Sequence, residues 1–167
     1  MELEDAKSKF IQAWGTFGSN WGVNRTMAQV HALLLVAPEP LCADDIMETL
    51  KISRGNANMN IRALIDWGLV FKELKPGERR EYFVGEKDMW KVVRQIIIQR
   101  KKKELEPVLT VLDEVSNVDD ADSEDAQQFL EVIGSMKLFS EKADAVLAKL
   151  IKSDSGWLMK TLMKLIK

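Results

Sequence analysis

At 167 residues, with 46% hydrophobic and 30% charged side chains, the chain can bury one sizeable core and is not composed like a disordered polymer. A single cysteine, Cys42, and a single histidine, His31, exclude an internal disulfide and leave too few soft ligands for a cysteine/histidine metal site, so no metal or other cofactor is expected. The net charge of −2 is unevenly spread: residues 1–50 hold 3 basic against 7 acidic side chains, residues 51–103 hold 14 against 6, and residues 104–167 hold 7 against 13.

From Glu4 to Gly22, Phe10, Ile11, Trp14, Phe17 and Trp21 recur at steps of three and four, the spacing of one helix face. Gly15, Gly18 and Gly22 interrupt it, so either the end of this helix frays or another backbone packs closely against it. A second helix is expected over residues 26–36, terminated by Pro38-Glu39-Pro40.

Cys42 stands where Ser or Thr often caps a helix, and Asp44 and Asp45 suit the positive end of the dipole of a helix over residues 43–50. Ser53 then caps a further helix that reaches about Trp67 and buries Ala57, Ile61, Leu64 and Ile65, with Gly68 as its C-terminal stop. Residues 69–74 and 80–84 alternate or cluster β-prone side chains around KPGER at 75–79, whose Pro76-Gly77 pair favours a turn. Two short helices, a tight turn and a hairpin with a basic tip make the layout of a winged helix-turn-helix. The expected fold is mainly α, with a three-helix core and a two-stranded wing.

Helix returns from Glu86, where Trp90, Val93, Ile97, Leu105, Val108, Leu112 and Val115 form a long apolar stripe. Pro107 lies within it and lacks a backbone donor, which predicts a kink or break between Lys103 and Glu106. An acidic loop follows, and Ser123 caps a helix over residues 124–151. The closing segment, residues 153–167, sets Lys160, Lys164 and Lys167 against Trp157, Leu158, Leu162, Leu165 and Ile166. That pattern suits a helix covering an apolar surface of the protein or its twin, and also one lying on a membrane. No apolar run approaches the roughly 18–20 residues of a spanning helix, and the acidic start MELEDAKSKF is unlike a secretory signal. A cytoplasmic protein with no membrane partner is expected.

If Ala57, Ile61 and Leu64 face the core at about 100° per residue, the opposite side presents Gly55, Asn56, Met59 and Arg62, with Asn58 at the flank and Arg54 in the first turn. The N-terminal part of the second helix of a helix-turn-helix enters the major groove. There Arg can read guanine and Asn adenine through paired hydrogen bonds, and Gly55 would allow close backbone approach. An ordinary solvated helix face is the alternative, and the agreement of cap, turn and hairpin weighs against it. At the wing tip Lys75, Arg79 and Arg80 could follow the sugar-phosphate backbone or enter the minor groove, their charge diluted by Glu78 and Glu81. Charged hairpin ends are also common on soluble proteins of every kind. The positive middle block as a whole can attract a polyanion.

Other features carry less. The run from Arg100 to Lys103 could be solvated helix surface, could touch phosphate, or could pair with the acidic C-terminal block of the same or a neighbouring subunit. The aromatic residues suit core packing or a subunit contact, and could instead line a pocket for a small-molecule effector, for which Trp14, Phe17, Trp21 and Trp90 are the candidate set. Cys42 is either an inert thiol or a redox sensor, and His31 a packed or surface side chain rather than a ligand. Nothing in the chain suggests a catalytic constellation.

The stretches WGTFGSNWG at 14–22, PEPLCADD at 38–45, ISRGNANMN at 52–60, DWGLV at 66–70 and GERREY at 77–82, with the long helix after them, resemble the GbsR-type members of the MarR superfamily of transcriptional regulators. The likeness covers most of residues 10–115. It implies a homodimeric winged helix protein that binds double-stranded DNA sequence-specifically, often as a repressor, on a pseudo-palindromic operator. The implied organisation is an N-terminal dimerisation helix (1–22), a winged helix DNA-binding domain (23–85) and a helical dimerisation region (86–167). On that reading Arg54, Asn56, Asn58, Met59 and Arg62 read bases, Ser53 and Gly55 place the helix, and Lys75, Arg79 and Arg80 hold phosphate or the minor groove. Two positions depart from the pattern: Ala57 is smaller than the branched apolar residue expected, and Cys42 replaces a hydroxyl cap. A winged helix can also serve as a protein interaction module without sequence-specific DNA binding, and the acidic bulk of the chain favours that alternative.

Overall fold

A computed structural model describes residues 1–119 and 122–153. The chain runs α1 (Leu3–Asn20), α2 (Arg25–Val36), β1 (Leu41–Cys42), α3 (Ala43–Leu50), α4 (Arg54–Asp66), β2 (Val70–Leu74), β3 (Glu81–Gly85), α5 (Met89–Arg100), a π-helical segment (Lys101–Leu105), α6 (Glu106–Val115) and α7 (Glu124–Lys152). It divides into two compact units, Met1–Val92 and a second beginning at Val93.

In the first unit α1 packs along α2, and its glycines mark the crossing. A Cβ at Gly18 would stand 2.5 Å from the Ala28 Cβ, and one at Gly15 would stand 2.6 Å from Gln29 Cγ. Close packing rather than fraying therefore explains them. The helix is continuous through both and stops at Asn20. Gly22 takes φ +74°, the Val23 N–H donates to the Gly18 carbonyl, and the Gly22 N–H donates to that of Ser19. This is the Schellman closure that only a residue at ease in the left-handed region permits at low cost. Gly68 ends α4 in the same way, with φ +70° and a bond from the Leu69 N–H to the Leu64 carbonyl.

Helices α2 to α5 each begin on an identifiable cap. Asn24 accepts the Met27 N–H at the start of α2, Ser53 accepts the Asn56 N–H at α4, and Asp88 accepts the Trp90 N–H at α5. These bonds satisfy donors that the first turn leaves without intrahelical partners. At α3 the Cys42 N–H donates to the Asp45 carboxylate at 2.8 Å, the reciprocal arm of a capping box. Lys51, at φ 53°, makes the left-handed step between α3 and α4.

The expected two-stranded wing forms as the β2–β3 hairpin, and a third strand that the sequence did not signal joins its sheet. Leu41 and Cys42 form β1, antiparallel to β3 with Leu41 opposite Phe83 and Cys42 opposite Tyr82, so the order is β1-β3-β2. A two-residue strand has no periodicity to read. It forms because β3 supplies an edge beside the entry to α3. The β2–β3 hairpin closes through Pro76 and Gly77, the latter at φ +83°, with the Glu78 N–H bonded to the Lys75 carbonyl; a left-handed Gly after Pro is the type II turn.

Val30, Leu34, Ile46, Ile61, Leu64, Val70 and Val92 are fully buried, as is Ala57. Ile65, expected in this core, is only half-buried, and Asn60 is buried in its stead. The buried arc of α4 is thus turned toward the Asn60 side.

In the second unit Pro107 does not break the helix but widens it. The Glu106 N–H donates to the Lys101 carbonyl, five residues back, so the backbone passes through a π-helical segment, Lys101–Leu105, just before the proline. Widening relieves the clash of the proline ring with the carbonyl four residues earlier. Helix α7 starts where Ser123 accepts the Ala126 N–H and carries Lys149 and Lys152 in its last turn, the charge its C-terminal dipole favours. Ion pairs of Lys101 with Asp144 at 3.0 Å and of Lys137 with Asp113 at 2.6 Å tie it to the preceding helices. Among the described residues no helix is long and apolar enough to cross a membrane. Trp157 and the closing amphipathic segment from residue 154 lie outside the described residues.

Candidate nucleic-acid interface

Because α4 buries Ala57, Asn60, Ile61 and Leu64, its other face is free. Arg54, Gly55, Asn58, Met59 and Arg62 are all exposed, as is the cap Ser53. Met59 keeps 59% of its surface, which for an apolar side chain is open helix face rather than core margin. Asn56 differs: it is half-buried at the edge of this face. Gly55 has open space where a Cβ would be, so no neighbour within the protein requires a glycine there.

Two neighbours missed by sequence reasoning restrain this surface. Arg54 is paired with Asp44 of α3 at 2.7 Å, and both side chains are more than half exposed, so water screens the pair and it holds Arg54 only weakly. Asn60 donates its Nδ2 both to the Asn56 backbone carbonyl at 2.8 Å and to the Asn56 Oδ1 at 2.6 Å. The i, i+4 spacing of two asparagines, one inside the apolar arc, was the signal available for that pair.

The wing cations have separate environments. Lys75 lies over the Tyr82 ring, 4.1 Å from its centroid, and the Tyr82 hydroxyl donates to Glu78, which holds the phenol above its ordinary pKa. Arg80 turns to the Cys42 side chain, and its hydrogen bond there, with the nearby charge of Asp44, raises the guanidinium further. Arg79 is exposed and has no partner among the described residues. Of the three, Arg79 is the one free to meet a ligand without first giving up a contact.

The aromatic residues of α1 and Trp21 just after it form a ladder. Phe10 and Trp14 lie 5.5 Å apart, Trp14 and Phe17 6.3 Å, and Phe17 and Trp21 5.4 Å; Trp14 also meets the buried His31 ring at 6.2 Å. Phe17 and Trp21 are each 55% exposed. Trp90 is half-buried and takes no part in the described ring contacts. Burial pushes the His31 imidazole down to about 4, so it is a neutral packed side chain at neutral pH. Cys42 is buried, and Asp45 is held below the ordinary carboxylate range, first by the Cys42 backbone N–H. In the Arg100–Lys103 run, Arg100 pairs with Glu104 at 3.2 Å and Lys101 with both Glu106 and Asp144. For Lys101, pairing with the acidic C-terminal block of the same chain is the outcome.

The comparisons with known proteins agree with this geometry. Residues 21–81 match the model of the MarR family, a span running from the end of α1 through the whole helix-turn-helix to the wing. The HTH-type transcriptional repressor GbsR of Bacillus subtilis (strain 168) is 22% identical over 112 residues, 67% of this chain and 62% of the relative. Over these residues the chain resembles the MarR family and its GbsR-type members. It spans less than two thirds of the length of its GbsR relative. A crystal structure described as a transcriptional regulator aligns with 86% of this chain and 99% of its own, with a TM-score of 0.58 and 18% identity. That likeness concerns the fold and agrees with the winged helix described above.

Proposed function

We propose that this protein is a transcriptional regulator that binds DNA sequence-specifically, acting as a repressor and as a homodimer on a pseudo-palindromic operator. The observation that carries the reading is the outward face of α4, where Arg54, Gly55, Asn58, Met59 and Arg62 stand exposed on a helix anchored by Ser53. Arginine and asparagine there match the donor and acceptor pattern of base edges in the major groove, and Arg79 on the wing is available to a phosphate. The excess of 14 basic over 6 acidic side chains in residues 51–103 supplies the local field that a polyanion needs in a chain acidic overall. The repressor role follows that of the GbsR relative, a transcriptional repressor.

A dimer is supported by an uncovered seam on α7. Phe129, Val132, Met136, Phe139 and Val146 are exposed and, with Ala143 and Leu150 between and after them, keep alternating steps of three and four. A 3.5-residue repeat is the pattern of a helix that supercoils with a partner. A two-fold dimer would set its two reading helices about 34 Å apart, one turn of duplex.

The test is an electrophoretic shift with the DNA upstream of the protein's own gene, at two salt concentrations, against a random duplex. The expected result is a shift favouring the upstream DNA and weakening with salt. Absence of any salt-sensitive shift would overturn the reading in favour of a protein interaction module.

A further inference from the structure

The Asn60 side chain occupies a position where an apolar residue would ordinarily complete the α4 core. It is 3% exposed, and its amide nitrogen bridges two oxygens of Asn56, the backbone carbonyl at 2.8 Å and Oδ1 at 2.6 Å. A backbone carbonyl can only accept, so the group of Asn60 facing it must be the –NH2. The same –NH2 has one hydrogen left, and the Asn56 atom that meets it must in turn be an acceptor. The backbone thereby fixes the orientation of both amides: the Asn56 oxygen points inward, toward Asn60. Its nitrogen has no partner among the described residues and is not among the buried polar atoms that lack one, so it faces water.

We propose that Asn60 is a positioning residue that holds the Asn56 amide with its nitrogen outward, so that α4 reads guanine and rejects adenine at that position. This rests on the reading of α4 as the DNA-reading helix. The paired recognition of adenine by asparagine needs both amide atoms at the base edge, the oxygen accepting from N6 and the nitrogen donating to N7. With the oxygen turned inward, Asn56 presents donors alone. Adenine would then leave its N6 amine facing an amine. Guanine offers two adjacent acceptors, O6 and N7, to the two hydrogens of the –NH2. A buried asparagine whose first bond is to a backbone carbonyl does not swivel freely, because leaving its place strands polar groups in the core.

The test is selection from a random-sequence duplex pool by the full-length wild-type protein and by the Asn56→Ala, Asn56→Asp and Asn60→Ala variants. The position whose preference vanishes in Asn56→Ala is the one Asn56 reads. Wild type should show guanine there by about tenfold or more over adenine. Asn56→Asp keeps the bond from Asn60 but turns an acceptor outward, so guanine should give way to cytosine, which offers its N4 amine. Asn60→Ala, with folding checked by circular dichroism, frees the Asn56 amide and should admit adenine while leaving other positions unchanged; if it does not fold, the Asn56→Asp result decides. Adenine at this position in wild type, an unchanged guanine preference in Asn56→Asp, or an unchanged preference in folded Asn60→Ala would each overturn the proposal alone. Enrichment of no sequence at all would remove the reading helix and this proposal with it.

Discussion

The ammonium of Lys87 donates to the backbone carbonyl of Leu34 at 2.8 Å, 53 positions earlier in the chain, and reaches the carbonyls of Leu35 and Ala37 as well. It closes the C-terminus of α2, where carbonyls lack intrahelical partners and the dipole is negative. Beside it Gly85 lies so close to this helix end that a Cβ would stand 3.0 Å from the Leu34 carbonyl carbon. The segment that leaves the wing is thus pinned to the helix beneath it. Burial lowers the lysine pKa, while the three carbonyls favour the charged form. Lys87→Met should cost about 1 kcal/mol, discounted for the exposure of the ammonium, and lower the Tm by a few degrees. DNA affinity at 25 °C should be unchanged. Calorimetry paired with a binding titration checks both.

Two glycines in helices should respond to alanine in opposite ways. At Gly18 the new methyl meets the Ala28 Cβ at 2.5 Å, and the overpacking cost of about 1–3 kcal/mol outweighs the roughly 1 kcal/mol of helix propensity gained. At Gly55 nothing stands within 4 Å, so alanine should leave stability equal or higher. On the proposed DNA-facing side, however, that methyl obstructs approach, and affinity should fall. Urea midpoints separate the two variants, and a Gly55→Ala protein that binds DNA as wild type does would argue against close backbone approach at that point.

Acid should destabilise the first unit through His31. Its folded pKa of about 4 lies below the unfolded value near 6.5, so the unfolded chain takes up the proton more readily. The contribution is therefore full above about pH 6.5 and is lost as pH falls toward 4, roughly 3 kcal/mol across that window. Asp45, whose pKa is lowered in the folded state, acts in the same direction at lower pH. Denaturation midpoints measured from pH 7.5 to 4 should fall more steeply for wild type than for His31→Leu; parallel profiles would show that the imidazole is not held neutral.

Among the proposed DNA contacts, Arg62→Ala should reduce the discrimination between operator and random duplex. Arg79→Ala should weaken binding to both alike and lower the slope of log K against log salt by about one. Titrations at four salt concentrations on both duplexes distinguish these effects, and identical behaviour of the two variants would remove the division of roles between helix and wing.

The sequence by itself determined the helix-turn-helix to within a residue or so: Ser53 caps α4, Gly68 ends it, and Pro76-Gly77 turns the wing. Each of these is a bond or a steric preference between residues at most five apart, so their order along the chain contains the answer. Phasing at 100° per residue likewise placed Arg54, Gly55, Asn58, Met59 and Arg62 outside. Tertiary structure decided what depends on residues distant in the chain or on competition for the interior. The pairing of β1 with β3, the contact of Gly18 with Ala28 and the capping of α2 by Lys87 join groups from separate elements. The choice of Asn60 over Ile65 for the interior depends on how α4 is rolled against its neighbours. A polar side chain is admitted to a core only where its hydrogen bonds are met, and that condition depends on surroundings that exist only after folding.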